Sequence, residues 1–514
     1  MHLIRTPIAA AVAFAFAVSA YAGNTTTVNQ NGTNNYTATS QDTSNASSIT
    51  VNQNGDSNNV GVQYPGWGDG GGPLIIPGAM QSGTTSGVVI VNQNGSHNWG
   101  WAQQNGSTQV TADVEQNGSF NGGQIYQYNT QTTNSYVLQN GTGNSGWIGQ
   151  WGVANSGGLQ FSLNYNDNNT VNQNGTSNSG YIDQFNTLNS GASVHQTGTA
   201  NQAGINQNNQ FASSQGQVNS AEVLQSGAFN SGNVLQSGNT GTTAALHQGV
   251  YGSTNAYSTG DDAQITQLGN TNTLGHTHQN GNYSFASVNQ SGNTGATGQV
   301  LQLGSNSNGQ VEQSGSSYVN AIIQQGDPFG LAFSATNSTA SVAQDNVSYS
   351  GAQIVQAGDS QVAHITQNQG AIGTQAWVNQ GGANDTANVT QSNTASSTAN
   401  IAQGDAYGSS VATNSQATIS QQNGSFLSAN IVQTGDQQNG TINQEGNFLT
   451  ASINQSGLMN IALVTQAGSS NGATVTQIGT GGTANNALVN QASSGYIATV
   501  AQNGAGNTAN VQQH

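Results

Sequence analysis

Eight histidines and eighteen acidic residues are the groups in this chain that could hold a metal, move a proton or attack a bond. Cysteine is absent, which removes thiolate nucleophiles, thiolate metal sites and disulfides. His195, His247 and His278 each stand directly before a glutamine. In a strand of period two that position points outward, and the three are expected on separate, non-adjacent rungs without a shared ion. Glu115 and Glu312 take the same outward place, one per rung, so no carboxylate pair for glycoside cleavage is expected. Asp56, Asp327, Asp359, Asp405 and Asp436 each follow a glycine, but the calcium-binding nonapeptide of other solenoids is not written around them. They read as charges that slow wrong association. Serines abound without a G-x-S-x-G elbow. The sequence therefore predicts no catalytic residue, no metal site and no cofactor, and the chain is not read as an enzyme.

The abundant chemistry is that of the carboxamide. V-N-Q-N-G stands at Val28–Gly32, Val51–Gly55, Val91–Gly95 and Val171–Gly175. The wider unit is Q-x-G-x-x-N-x5-Q, as in Gln116-Gly118-Asn121-Gln127 and Gln139-Gly141-Asn144-Gln150. Gln433, Gln444, Gln455, Gln466 and Gln477 follow one another at steps of eleven; elsewhere eleven and twelve alternate, giving a double unit of 22 or 23 residues. A fixed period of this length marks a stacked repeat.

The elements that carry these amides are short strands. Val28 and Gln30 share one face, Asn29 and Asn31 the other, and Gly32 supplies a permissive backbone for a turn. Frequent Gly, Asn and β-branched residues without a 3.6-residue period argue against helix. The expected fold class is all-β, a β-solenoid or stacked cross-β with two short strands per 22–23-residue repeat. Rungs ~4.8 Å apart would set equivalent residues above one another, so that buried glutamines satisfy each other along the axis. The predicted ladder is Gln30, Gln53, Gln93, Gln116, Gln139, Gln173, Gln196, Gln225, Gln236, Gln267, Gln290, Gln313, Gln433, Gln444, Gln455, Gln466, Gln477, Gln502 and Gln513. The predicted turn glycines are Gly32, Gly55, Gly95, Gly118, Gly141, Gly175, Gly198, Gly227, Gly457, Gly468 and Gly504.

Residues 1–22 read as a secretory signal peptide: Arg5, an apolar run Ile8–Val18, and Ala20 and Ala22 before the cleavage point. The run is shorter than the roughly 20 residues a membrane span needs, and no span is expected in the mature chain. Arg5 is the sole Lys or Arg, and the formal net charge is −17, so a nucleic-acid partner is excluded. Residues 23–63 and 88–514 are expected to be repeats. The segment 64–87 holds three of the five prolines and is expected to bulge as a loop, with Trp67, Leu74, Ile75 and Ile76 as its adhesive candidates. Short insertions are expected near 152–170, 249–262, 327–340 and 406–416.

The pattern resembles the curlin repeat, S-x5-Q-x-G-x2-N-x-A-x3-Q, of bacterial curli fibre subunits. Gln455-Gly457-Asn460-Ala462-Gln466, Gln466-Gly468-Asn471-Ala473-Gln477 and Gln502-Gly504-Asn507-Ala509-Gln513 carry it from the first glutamine onward. Elsewhere Gly123, Gly146, Gly180 and Gly232 stand in place of the alanine, and the leading serine persists at places such as Ser47 and Ser284. The chain is several times longer than a five-repeat subunit, and its repeats begin at Val28, where curli subunits carry an export-targeting segment. The resemblance implies a secreted functional amyloid of the biofilm matrix, on the cell surface, with self-association as its main partner interaction. It also implies a nucleator subunit and a curli-type outer-membrane secretion system as companions. The alternative is a soluble monomeric solenoid acting as an adhesin. Neither Val28–Gly32 nor the closing TANVQQH shows a capping pattern, so growth is expected to run head to tail.

Overall fold

Alternation of one apolar or amide residue with one polar residue makes strands with a single buried face. Thr111–Ser119 buries Ala112, Val114 and Gln116 and turns Thr111, Asp113 and Glu115 outward. The computed structural model describes residues 14–17, 23–64, 74–152, 164–165, 168–187, 189–208, 219–249, 258–326, 335–404 and 411–514. The cleavage residues Ala20 and Ala22 lie outside these, as do Trp67, Asp327 and Asp405. All regular elements among the described residues are strands, and no helix is long and apolar enough to cross a membrane. The fold is an all-β solenoid. Contacts divide it into two units, residues 1–242 and 243–514.

In the first unit the repeat strands form two parallel stacks, each strand pairing with the equivalent strand of the next rung. Val88–Ser96, Thr111–Ser119, Asn134–Thr142, Asn168–Thr176 and Gly191–Thr199 stack in register, so that Gln93, Gln116, Gln139, Gln173 and Gln196 are successive partners. The strands between them, such as Trp99–Asn105, Gly122–Tyr128 and Ser145–Trp151, stack likewise. The two stacks face each other, and their inward residues interlock. A side chain at Gly123 would meet Val114 Cγ1 at 2.6 Å and Val137 Cγ1 at 3.3 Å. The small residue of one strand therefore leaves room for the valine of the other. Val114, Ile125 and Val137 are fully buried, and each such side chain contributes about 1.5–3 kcal/mol.

The second unit repeats this scheme with alanine more often at the small position. Ala363, Ala387 and Ala417 stack in one set, and Ala376 and Ala399 in the other. Ile365, Ile401 and Ile419 supply its larger buried side chains.

The stretch 64–87 departs from the expected loop. Ala79–Ser82 returns to the stack, with Gln81 paired to Gln41 and Gln104 and no exposure at Ala79 or Gln81. A-x-Q is enough of the inward pattern to fill the small and amide positions of a rung. Leu74–Pro77 runs antiparallel to Gly61–Tyr64. The insertions near 152–170, 249–262 and 327–340 lie largely outside the described residues, and of 406–416 the residues 411–416 are described. Their C-terminal portions are strands: Asn168–Thr176, Asp262–Leu268, Thr339–Asp345 and Ala412–Thr413.

Candidate functional site: the amide ladders

An amide buried without partners costs several kcal/mol, so each inward glutamine has to find a donor and an acceptor. Gln116 Nε2 donates to Gln139 Oε1 at 2.9 Å and to the Trp99 carbonyl of the facing strand at 3.0 Å; its Oε1 accepts from Gln93 at 2.9 Å. Both N–H groups and the carbonyl are used, and the same three bonds recur rung after rung.

Each unit holds two such ladders. In the first, Gln30, Gln53, Gln93, Gln116, Gln139, Gln173, Gln196 and Gln225 are joined by bonds of 2.7–2.9 Å. Gln236 stands in the facing ladder, where it accepts from Gln207 at 2.7 Å. In the second unit, Gln267, Gln290 and Gln313 lie in one ladder with Gln444, Gln466 and Gln513. Gln433, Gln455, Gln477 and Gln502 form part of the other, at 2.7–2.8 Å. The eleven-residue step therefore alternates between ladders: Gln444 and Gln455 are not stacked, because a closed rung contains two strands.

Glutamines outside the predicted list complete the set: Gln81 accepts from Gln41 at 2.6 Å and donates to Gln104 at 2.9 Å. Gln139 bonds Gln173 across 34 residues and Gln53 bonds Gln93 across 40, as closely as pairs 23 apart. Intervening chain leaves at the turns, so its length does not enter the ladder geometry. The signal that could have found these partners is the inward triplet of small, β-branched and amide residues.

The corners add a second amide system. Asn98 Oδ1 accepts from the backbone N–H and the Nδ2 of Asn121, both at 3.1 Å, and Asn98 Nδ2 donates to the Gly118 carbonyl at 3.0 Å. Asn121, Asn144 and Asn178 repeat the arrangement. The expected turn glycines Gly32, Gly55, Gly95, Gly118, Gly141, Gly175, Gly198, Gly227, Gly457, Gly468 and Gly504 all have positive φ. At Gly118 (φ +122°) a Cβ would stand 2.0 Å from the Gly141 carbonyl oxygen, so both conformation and space require glycine.

The outward chemistry differs from expectation in two places. His247 and His278 are direct partners on neighbouring strands, 31 residues apart, and His276 lies two places along from His278 on the same strand. The His247 ring centroid is 5.4 Å from that of His276 and 6.3 Å from that of His278. Extra chain between the strands brings together histidines that repeat counting had separated. Burial, then the neighbouring histidines, lowers both His276 and His278 to about 4. His195 stands by itself between Asn172 and Leu224. Glu115 has a neighbour as well: Asp113 shares its outward face, and burial followed by the Glu115 charge raises Asp113 to about 6. Glu312 lies between Asn289 and Ala343. Among the described residues no group of three or more histidines and acids is placed to hold a metal ion.

A third outward feature was not read from the sequence. Trp99, Trp101, Tyr126, Trp147, Trp151 and Tyr181 form one aromatic cluster over four successive rungs. Trp147 and Tyr181 are parallel within 7° at 4.6 Å, and Trp147 and Trp151 lie over the bare backbone of Gly149.

Residues 449–479 match the family model of the curlin associated repeat. That segment carries the curlin associated repeat. The matched segment runs from Leu449 through Gln455, Gln466 and Gln477 to Gly479, and so takes in members of both ladders of the second unit. No curated protein matches the chain. Within the curlin repeat the glutamines make hydrogen bonds along the stack, the glycine makes the turn, and Ala462 and Ala473 fill the small inward position.

Proposed function

We propose that this chain is a secreted structural protein that polymerises head to tail into curli-like amyloid fibres of an extracellular matrix, supporting adhesion and cell aggregation. The observation that carries the reading is the one-dimensional amide ladder. Each rung offers the next an Oε1 acceptor, an Nε2 donor and a strand edge in the same relative positions. A rung of a second copy presents that same pattern, so the geometry that stacks rungs within a chain also stacks chains. The inward glutamines and the turn glycines named above are the residues that hold this register. Outward charge is almost wholly acidic, which keeps separate chains apart before assembly. Partners under this reading are further copies of the chain, with a nucleating subunit and a curli-type outer-membrane exporter as companions.

The test is to incubate the purified mature chain and follow light scattering, then record diffraction from aligned product. Unbranched fibres with reflections near about 4.8 and 10 Å support the proposal. A chain that stays monomeric at high concentration and in the presence of preformed seeds overturns it in favour of a soluble adhesin.

A further inference from the structure

Two corners of the second unit, at Asp261 and Asp385, carry a buried carboxylate where the first unit carries carboxamides, and Asp385 is the one that a further acid, Asp436, acts on. In the first unit the corner residue follows a left-handed residue, accepts a backbone bond on its carbonyl, and uses Oδ1 and Nδ2 as described for Asn98. Asp385 matches that placement. It follows Asn384 (φ 55°), its carbonyl accepts from Val362 N–H, and its Oδ1 accepts from Ser415 N–H at 3.0 Å. Its Oδ2 then takes the place of the asparagine NH2, which in the first unit donates to the turn carbonyl one rung on. Asp385 is fully buried and this Oδ2 has no hydrogen-bond partner. On one side the next rung holds Gln361, whose Nε2 donates to the Ala357 carbonyl at 3.0 Å; on the other side come Ser415, whose hydroxyl donates to the Thr413 carbonyl at 3.1 Å, and then Gln438, whose Nε2 donates to the Gly457 carbonyl at 3.1 Å.

We propose that Asp385 is a protonation-gated rung of the stack. Neutral, its carboxyl O–H donates into the row of turn carbonyls as the asparagine amide does. Ionised, it places a charge among carbonyl oxygens and loosens the rungs on both sides. The charged groups near this corner are acidic. Asp359 and Asp436 stand along the same corner, on the rungs that pair Asp359 with Ala383 and Thr413 with Asp436, and bond Asn337 and Asn414. His364, on the neighbouring strand, turns outward to Ser341. Burial is the main cause that raises Asp385, to about 7; the Ser415 N–H opposes it and Asp436 adds to it. An unfolded aspartate titrates near 3.8. The folded chain therefore keeps a proton that the unfolded chain has lost, between about pH 4 and 7, and stability falls as pH rises through that window.

The experiment compares denaturant unfolding of the full chain and its Asp385→Asn variant from pH 4 to 9. The two are expected to be alike near pH 4. The variant's folded-to-unfolded ratio should exceed the parent's by at least tenfold at pH 8, the gap opening between about pH 4 and 7. A gap that does not change with pH, or a parent more stable than the variant at pH 8, overturns the proposal. Asp436→Asn, which removes a half-buried charge from the same corner, should leave the parent's pH profile nearly unchanged. If it flattens the profile as fully as Asp385→Asn does, the dependence belongs to general charge repulsion and the gate is rejected.

Discussion

Gln433 Nε2 donates to Gln455 Oε1 at 2.8 Å, across 22 residues of chain, while Gln444, midway between them in sequence, bonds Gln421 and Gln466 on the facing ladder at 2.9 Å. One relationship sets the others: eleven residues are half a turn of the solenoid and twenty-two are a whole one. Substitutions meant to act together must respect that alternation.

Gln444→Glu with Gln466→Glu places two carboxylates one above the other in the buried ladder. Each uncompensated buried charge costs several kcal/mol, so the pair is expected to lose about 6 kcal/mol or more. Asn443→Glu with Thr465→Glu, on the outward side of the same strands, should cost less than about 1 kcal/mol per site. Denaturant midpoints of the two double variants check this; equal losses would refute the division between inward and outward positions.

Gly118→Ala is expected to destabilise by about 2–5 kcal/mol, since left-handed strain adds to a collision with the Gly141 carbonyl. Gly269 also has positive φ, but its Cβ would meet nothing within 4 Å. Gly269→Ala should therefore cost only the conformational penalty, about 1–2 kcal/mol. Thermal unfolding of both variants separates steric from conformational demand.

His276 and His278 give the second unit an acid limit. Their folded values of about 4 lie below the ordinary 6.5, so the neutral rings stabilise the fold above pH 6.5. That stability is lost as pH falls from about 6.5 through 4, the opposite direction to the Asp385 effect. His276→Gln with His278→Gln should remove part of the acid loss, read as a smaller drop in denaturant midpoint between pH 6.5 and 4.

If copies stack as proposed, assembly should quicken as pH approaches about 4, where ordinary carboxylates lose charge, and with added salt at neutral pH. The net charge of −17 is the brake in both cases. Seeded growth rates across pH and ionic strength test it; rates indifferent to both would show that repulsion does not limit assembly.

The aromatic cluster offers a local measure of stacking. Trp147→Ala removes the parallel contact with Tyr181 and the cover over Gly149. A cross-strand aromatic pair contributes about 0.2–1 kcal/mol, and the lost half-buried area adds to it, so a loss of about 1–2 kcal/mol is expected. Near-ultraviolet circular dichroism should lose intensity in the same variant, while the far-ultraviolet strand signal remains.

The strands, the turns and the inward face were legible in the amino-acid sequence, because period two and a glycine at each turn are local properties. Val114 and Gln116 had to share a face, and Gly118 had to turn the chain, whatever else the fold did. Tertiary structure alone decided which strand lies on which. A rung closes after two strands regardless of how much chain leaves at its corners, so spatial neighbours can be 22 or 40 residues apart. For that reason Gln81 entered a ladder from a stretch that reads as a loop, and His247 met His278 across an insertion. Trp101 met Tyr126 and Trp147 met Tyr181 on a face whose composition shows no period. Sequence spacing did not single out Asp385. Only the stack places its second oxygen where every comparable asparagine has a donor, because burial and partners are set by neighbouring rungs and not by neighbouring residues.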